Sequence, residues 1–244
     1  MIWRKFKLEW SYAVGELAIV VVGVLMALAI DQWNDERLER LEEMDAVSRI
    51  LIDLQTDLQD FEFRLKSVDA KEESLLRIKA FFAGSADVDA AIFLTDIIIG
   101  ADFGWNQGFA QQSTYDNLLG SGKLGIIEGL GVRHKISDYY RYYQDEHIRI
   151  DERETAFPEL SYQLIPRRGR DVELGVATLE RKIESGLSDR EMKELVVLVQ
   201  ASSIRDHVTA ELNLARFIRN VELDLEERAE SLISLLERYQ TSIQ

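Results

Sequence analysis

The sequence predicts an all-α fold: one N-terminal transmembrane helix continuing into a long stalk helix, with an extramembrane antiparallel helical bundle. Three observations carry that prediction. Ser11 to Ile30 is apolar except for Glu16, and twenty helical residues rise about 30 Å, the thickness of a bilayer's hydrocarbon core. No helix breaker follows the apolar stretch until Gly84, and Met44, Val47, Leu51, Leu54, Leu58, Phe61, Leu65 and Val68 alternate spacings of three and four, a heptad seam. Proline is confined to Pro158 and Pro166 while 30% of residues are charged, and Leu, Ile, Glu and Arg abound, which is a helical composition.

Residues 1–10 mix Trp3, Phe6 and Trp10 with Arg4, Lys5 and Lys7, an interfacial lead-in to the membrane. Residues 11–33 form the span, with Trp10, Tyr12 and Trp33 placed where aromatic rings settle at the membrane–water boundary. The basic start and the Ala27-Leu28-Ala29 triplet also fit a signal cleaved after Ala29. Glu16 interrupts the apolar run and the run is long enough to cross, so an uncleaved anchor is expected. The first ten residues hold three basic groups and one acid, whereas Asp31 to Glu43 hold six acids and two arginines. Because Lys and Arg stay on the cytoplasmic side, the N-terminus is expected inside and the bulk of the chain outside, in the periplasm at a bacterial inner membrane. Gly15, Gly23 and Ala27 share one stripe of the span, and a small-x-x-x-small pair such as Gly23 and Ala27 lets two backbones approach in lipid. Glu16 lies about 9 Å along the axis from Trp10. It either snorkels to the interface or meets a polar group on a neighbouring helix.

Residues 34–83 are the stalk. Its seam faces other helices of the same chain or, alternatively, a second subunit. Residues 84–244 form the bundle that packs on it. Gly84 to Asp87 is a turn, and Ala90 to Ile99 is an apolar helix too short to cross a membrane. Gly100 to Gly108 is a loop with Phe103 and Trp105. Ser113 or Thr114 caps a short helix through Leu119, which Gly120-Ser121-Gly122 breaks. A helix runs from Val132 to about Phe157, bends at Pro158 and ends near Pro166, before the basic loop Arg167-Arg168-Gly169-Arg170. Leu174 to Gly186 is a short helix. Ser188 and Glu191 form a capping box that opens a helix to about Tyr239, its apolar face marked by Val208, Leu212, Ala215, Leu225, Leu232 and Leu236. That helix matches the stalk in length, so the two are expected to pack antiparallel.

Two stretches resemble a known family. Residues 12–34 carry Tyr12-Ala13-x-Gly15-Glu16, a Gly-containing apolar span and Trp33-Asn34. From Ser113 to Tyr143 come Thr114-Tyr115, a Leu, Ser121-Gly122, an apolar pair and a helix ending in tyrosines. Both are similar to the signatures of an uncharacterised bacterial family of single-span membrane proteins, a domain of unknown function. The resemblance implies an anchored helical outer domain and supplies no catalytic residues.

Chemistry is bounded mainly by what is missing. The absence of cysteine excludes disulfides, thiolate metal sites and cysteine nucleophiles. A net charge of −15 opposes nucleic acid and opposes the outer domain lying flat on anionic lipid. Gly122-Lys123 lacks the preceding glycine and following hydroxyl of a phosphate loop, since Asn117 and Leu124 stand there. The residues three before His134, His147 and His207 are Gly131, Gln144 and Ile204, which excludes the Glu-x-x-His pattern of di-iron bundles. His147 and Asp151 share a helical face and read as a surface pair. The tyrosines at 139–143 read as core packing, with a ligand-stacking platform of Trp105, Tyr115, Tyr139 and Tyr143 as the alternative. Arg167, Arg168 and Arg170 read as a solvated loop, with docking to an acidic partner or to lipid head groups as the alternative. The expected function is a non-enzymatic, membrane-anchored scaffold or accessory subunit without a cofactor. It would assemble in the lipid bilayer with its own copies or with another membrane protein, and not with nucleic acid. The alternative is a membrane-anchored sensor or small-ligand-binding domain.

Overall fold

A computed structural model of the chain describes residues 3–85, 89–101, 110–166, 172–173, 182–183 and 187–243. Helix α1 (Trp3–Phe82) runs unbroken through span and stalk, 80 residues or about 120 Å of helix. Gly84 closes it in the left-handed conformation, φ 70°, with the Ser85 N–H donating to the Ala80 carbonyl at 3.0 Å. Glycine takes that conformation without a Cβ penalty. From Tyr12 to Glu42 every residue of α1 is exposed, and burial begins at Glu43. The helix is thus bare along the span and for nine residues beyond Trp33.

Helix α7 (Ile204–Ile243) returns antiparallel along the stalk. Gln240 donates to Ser48 at 2.7 Å, Arg219 pairs with Asp69 at 2.6 Å and Arg216 pairs with Glu72 at 2.7 Å, which fixes the two directions. The buried positions Ile204, Val208, Glu211, Ala215, Ile218, Glu222, Leu225, Ala229, Leu232 and Leu236 alternate steps of four and three. A 3.5-residue period keeps one seam turned to its partner along the whole contact. The stalk seam is therefore filled from within the chain.

The remaining helices cover this pair in two blocks. Nearer the apolar span lie α3 (Ser113–Gly120), a 3-10 turn (Lys123–Ile126) and α4 (Leu130–Asp151). They share an apolar cluster with Val47, Leu54, Phe61 and Leu232. Farther out α2 (Ala90–Ala101), α5 (Phe157–Leu164) and α6 (Asp189–Ala201) close a second cluster around Leu75, Ile78, Phe93 and Val208. The capping box at Ser188 and Glu191 is present.

Four local expectations are corrected. The helix expected over Leu174 to Gly186 does not hold at Lys182–Ile183 (β2), which pairs antiparallel with Val172–Glu173 (β1). The single helix from Ser188 to Tyr239 is two, because Ser202 turns extended, donates to the Val199 carbonyl and accepts from the Ile204 N–H; such local side-chain bonds compete with helix. Pro158 does not bend a continuous helix: α4 stops at Asp151 and Pro158 sits in the first turn of α5, where its missing N–H costs nothing. Helix α3 has no side-chain cap from Ser113 or Thr114. Carboxylates from α1 accept there instead, Asp53 from the Thr114 N–H at 3.3 Å and Asp57 from the Gln111 N–H at 2.8 Å.

Candidate functional site

The seam between α1 and its neighbours is not purely apolar. One column of α1 reads Val47, Leu54, Phe61, Val68, Leu75; the adjacent column, also spaced by seven, reads Glu43, Ile50, Asp57, Arg64, Lys71, Ile78. All are buried. Four ionisable side chains thus occupy core positions of a helix anchored at one end in a membrane-length apolar span.

Each meets a partner from another element. Glu43 accepts from the Glu128 N–H at 2.7 Å and from the Tyr239 hydroxyl at 2.5 Å, while the Tyr239 oxygen accepts from the Gly129 N–H at 2.8 Å. Asp57 adds to its Gln111 bond the hydroxyl of Tyr139 at 3.3 Å. Arg64 Nε stands 3.0 Å from Glu222 Oε2, with its guanidinium 4.7 Å from the centre of the Phe61 ring. Lys71 Nζ stands 2.5 Å from Glu211 Oε1, and the Thr155 hydroxyl donates to the other Glu211 oxygen. Toward the far end Arg77 grips buried Asp96 of α2 at 2.8 and 2.9 Å. Taking an ion out of water costs several kcal/mol, so each group survives burial only through these partners.

The field in the column is uneven. Burial pushes Asp57 up to about 6, against the lowering effect of its bonds to Gln111 and Tyr139. Burial likewise raises Glu222, although Arg64 opposes it. For Arg64 burial favours the neutral form, but Glu222, Tyr143 and Asp60 together outweigh it and hold the guanidinium charged. Burial, then the nearby Arg64 charge, pushes His147 down to about 4. His147 is half-buried and stacks on Tyr143 with ring centres 4.2 Å apart, so it belongs to the core edge rather than to a surface pair with Asp151.

The sequence-selected tyrosines converge on the same region. Tyr139, Tyr140 and Tyr143 are buried, Tyr143 packs on Phe61, and half-buried Tyr115 stacks on Tyr140 at 4.5 Å. Burial raises the hydroxyls of Tyr139 and Tyr140, so both stay neutral. Their rings pack against helices and present no open face. Trp105, Arg167, Arg168 and Arg170 lie outside the described residues. In the span Gly15, Glu16, Gly23 and Ala27 are exposed, and a Cβ added at Gly15 or Gly23 would meet nothing within 4 Å. That surface is open to a neighbouring helix. The charged column is what sequence reading missed. Its signal is a charge flanked at three and four residues by buried apolar positions, as Arg64 is by Phe61 and Val68.

Residues 16–154, from the span through α4, match a family described as a family of unknown function, DUF6090. No curated protein and no solved structure matches the chain.

Proposed function

The chain belongs to this family of unknown function, and we propose that it is a non-enzymatic, membrane-anchored scaffold or accessory subunit acting through helix-mediated assembly. The observation that carries the reading is the continuity of α1: one helix supplies both a bare, membrane-length apolar surface and the central seam of the bundle. The charged column pins that helix against α7, α4 and the turns before them. A heptad seam of leucines and valines alone could slip by one repeat, whereas a buried charge displaced from its partner is strongly disfavoured. The bundle is thereby held at one height and one rotation above the membrane, as a scaffold requires. In this reading the acidic bundle lies across the bacterial inner membrane from the N-terminus, on the periplasmic side, and the open face of the span meets a second copy or another membrane protein. The sensor reading needs an open tyrosine platform, and the buried rings of Tyr139 and Tyr143 lend it no support.

A transmembrane association assay on residues 10–33 tests the reading, comparing wild type with Glu16→Leu and Gly23→Ile. Polar contacts in bilayers contribute about 0.6–2 kcal/mol, so Glu16→Leu should weaken association without abolishing it. Gly23→Ile should do more harm because it separates the backbones. If all three associate equally, or none does, the span does not drive assembly.

A further inference from the structure

Between the end of the span and the first buried residue of the bundle, α1 and the end of α7 enclose a groove of about 320 Å³ lined by Trp33, Glu36, Arg37, Arg40, Leu41, Met44 and Ile243. The α1 residues among them recur every three or four positions, so they form one face of the helix. Three features bear on what this groove can hold. Neither Arg37 nor Arg40 has an ion-pair or hydrogen-bond partner among the described residues. Farther up the same helix Arg49 pairs with Asp45 and Arg64 with Glu222. The lining acid, Glu36, accepts instead from Gln32 at 3.0 Å. The third feature is height. Arg37 lies about 6 Å and Arg40 about 10 Å beyond Trp33 by helical rise, while the headgroup layer extends roughly 5–7 Å past the hydrocarbon. Long arginine stems reach back over that remaining distance.

We propose that this groove is a phospholipid headgroup site, in which Arg37 and Arg40 clasp the phosphate of an anionic lipid of the leaflet from which the stalk emerges. The inference rests on the membrane-anchored reading above. Guanidinium donors match phosphate oxygens bidentately, and the same groove is also lined by the apolar side chains of Leu41, Met44 and Ile243. Lipid is the occupant because continuity of α1 with the span places the groove at the leaflet surface. The lipid would seat the base of the stalk, adding a fixed point between span and bundle where the helix is otherwise bare.

The test uses the full chain, extracted from membranes in mild detergent and studied by native mass spectrometry with added phosphatidylglycerol or phosphatidylcholine. Wild type is expected to retain phosphatidylglycerol in preference to phosphatidylcholine. R37Q/R40Q is expected to bind phosphatidylglycerol about 25-fold more weakly, at fivefold for each arginine near a charged surface. R141Q, which removes an exposed arginine of α4 paired with Asp138, should bind as wild type does. Since Arg37 and Arg40 hold no partner, the double variant should keep the helical spectrum and melting temperature of wild type, so weaker binding reports the site and not misfolding. Equal phosphatidylglycerol binding by wild type and R37Q/R40Q overturns the site, as does a wild type that retains neither lipid. Fractionation separates this from the parent reading: a chain recovered without detergent in the soluble fraction overturns the anchor itself.

Discussion

Removing one partner of the Arg64–Glu222 pair should cost far more than removing both. Arg64 is 5% exposed and Glu222 0%, and their side chains meet at 3.0 Å in the middle of the α1–α7 seam. Glu222→Leu would take from a buried guanidinium the carboxylate it pairs with, and breaking a buried pair this way costs about 3–5 kcal/mol. For the portion beyond the span, roughly 200 residues, each kcal/mol shifts the melting temperature by about 2–4 °C, so the single variant should melt roughly 6–20 °C lower. Arg64→Met combined with Glu222→Leu replaces the pair by apolar groups of similar reach. Such replacements are often neutral or stabilising, so the double variant should recover most of the loss. The assay is thermal unfolding of the detergent-solubilised full chain by circular dichroism, run on both single variants and the double. A Glu222→Leu loss below about 1 kcal/mol, or a double variant as unstable as the sum of the singles, would refute the account of the column as paired charges in a dry seam.

Asp57→Asn should change how stability responds to acid. Asp57 holds its proton to about 6 when folded against 3.8 when unfolded, so its contribution is full below pH 3.8 and lost as pH rises to 6. Measured against Asp57→Asn by chemical denaturation, wild type should lose on the order of 3 kcal/mol of relative stability across that window; a flat difference contradicts the burial. His147 runs the other way: folded near 4 against 6.5 unfolded, its contribution is full above pH 6.5 and lost as pH falls toward 4. Wild type should therefore lose stability relative to His147→Phe as the solution is acidified, by a smaller amount because the ring is only half-buried. Gly129→Ala would put a Cβ 2.8 Å from the Tyr239 ring, an overpacking cost of about 1–3 kcal/mol. Gly131→Ala meets nothing within 4 Å and lies inside α4, so it should be neutral or stabilising by the same denaturation assay.

The elements legible in the sequence were those whose cause is local. The unbroken stalk to Phe82 follows from the absence of breakers, its stop from Gly84, the opening of α6 from Ser188 and Glu191, and the α1–α7 pairing from two long apolar seams. Features set by contacts distant in sequence were not legible. Ser113 looked like a cap because serine usually accepts from its own helix; the bonds are taken instead by Asp53 and Asp57, some sixty residues earlier. Asp57, Arg64 and Lys71 were not legible as core residues, because an acid or base at a seam position is indistinguishable from a surface one until its partner helix is placed. Glu211 and Glu222 supply the missing half of that information, each flanked on α7 by buried apolar neighbours. When α7 is laid antiparallel on α1 with Tyr239 beside Glu43, Glu222 falls opposite Arg64 and Glu211 opposite Lys71, base on one helix and acid on the other. Charge complementarity across two heptad columns thus selects a single register for a seam that apolar spacing leaves free to slide by seven residues. In a protein whose first helix also passes through a membrane-length apolar span, that register sets how far the bundle stands from the span.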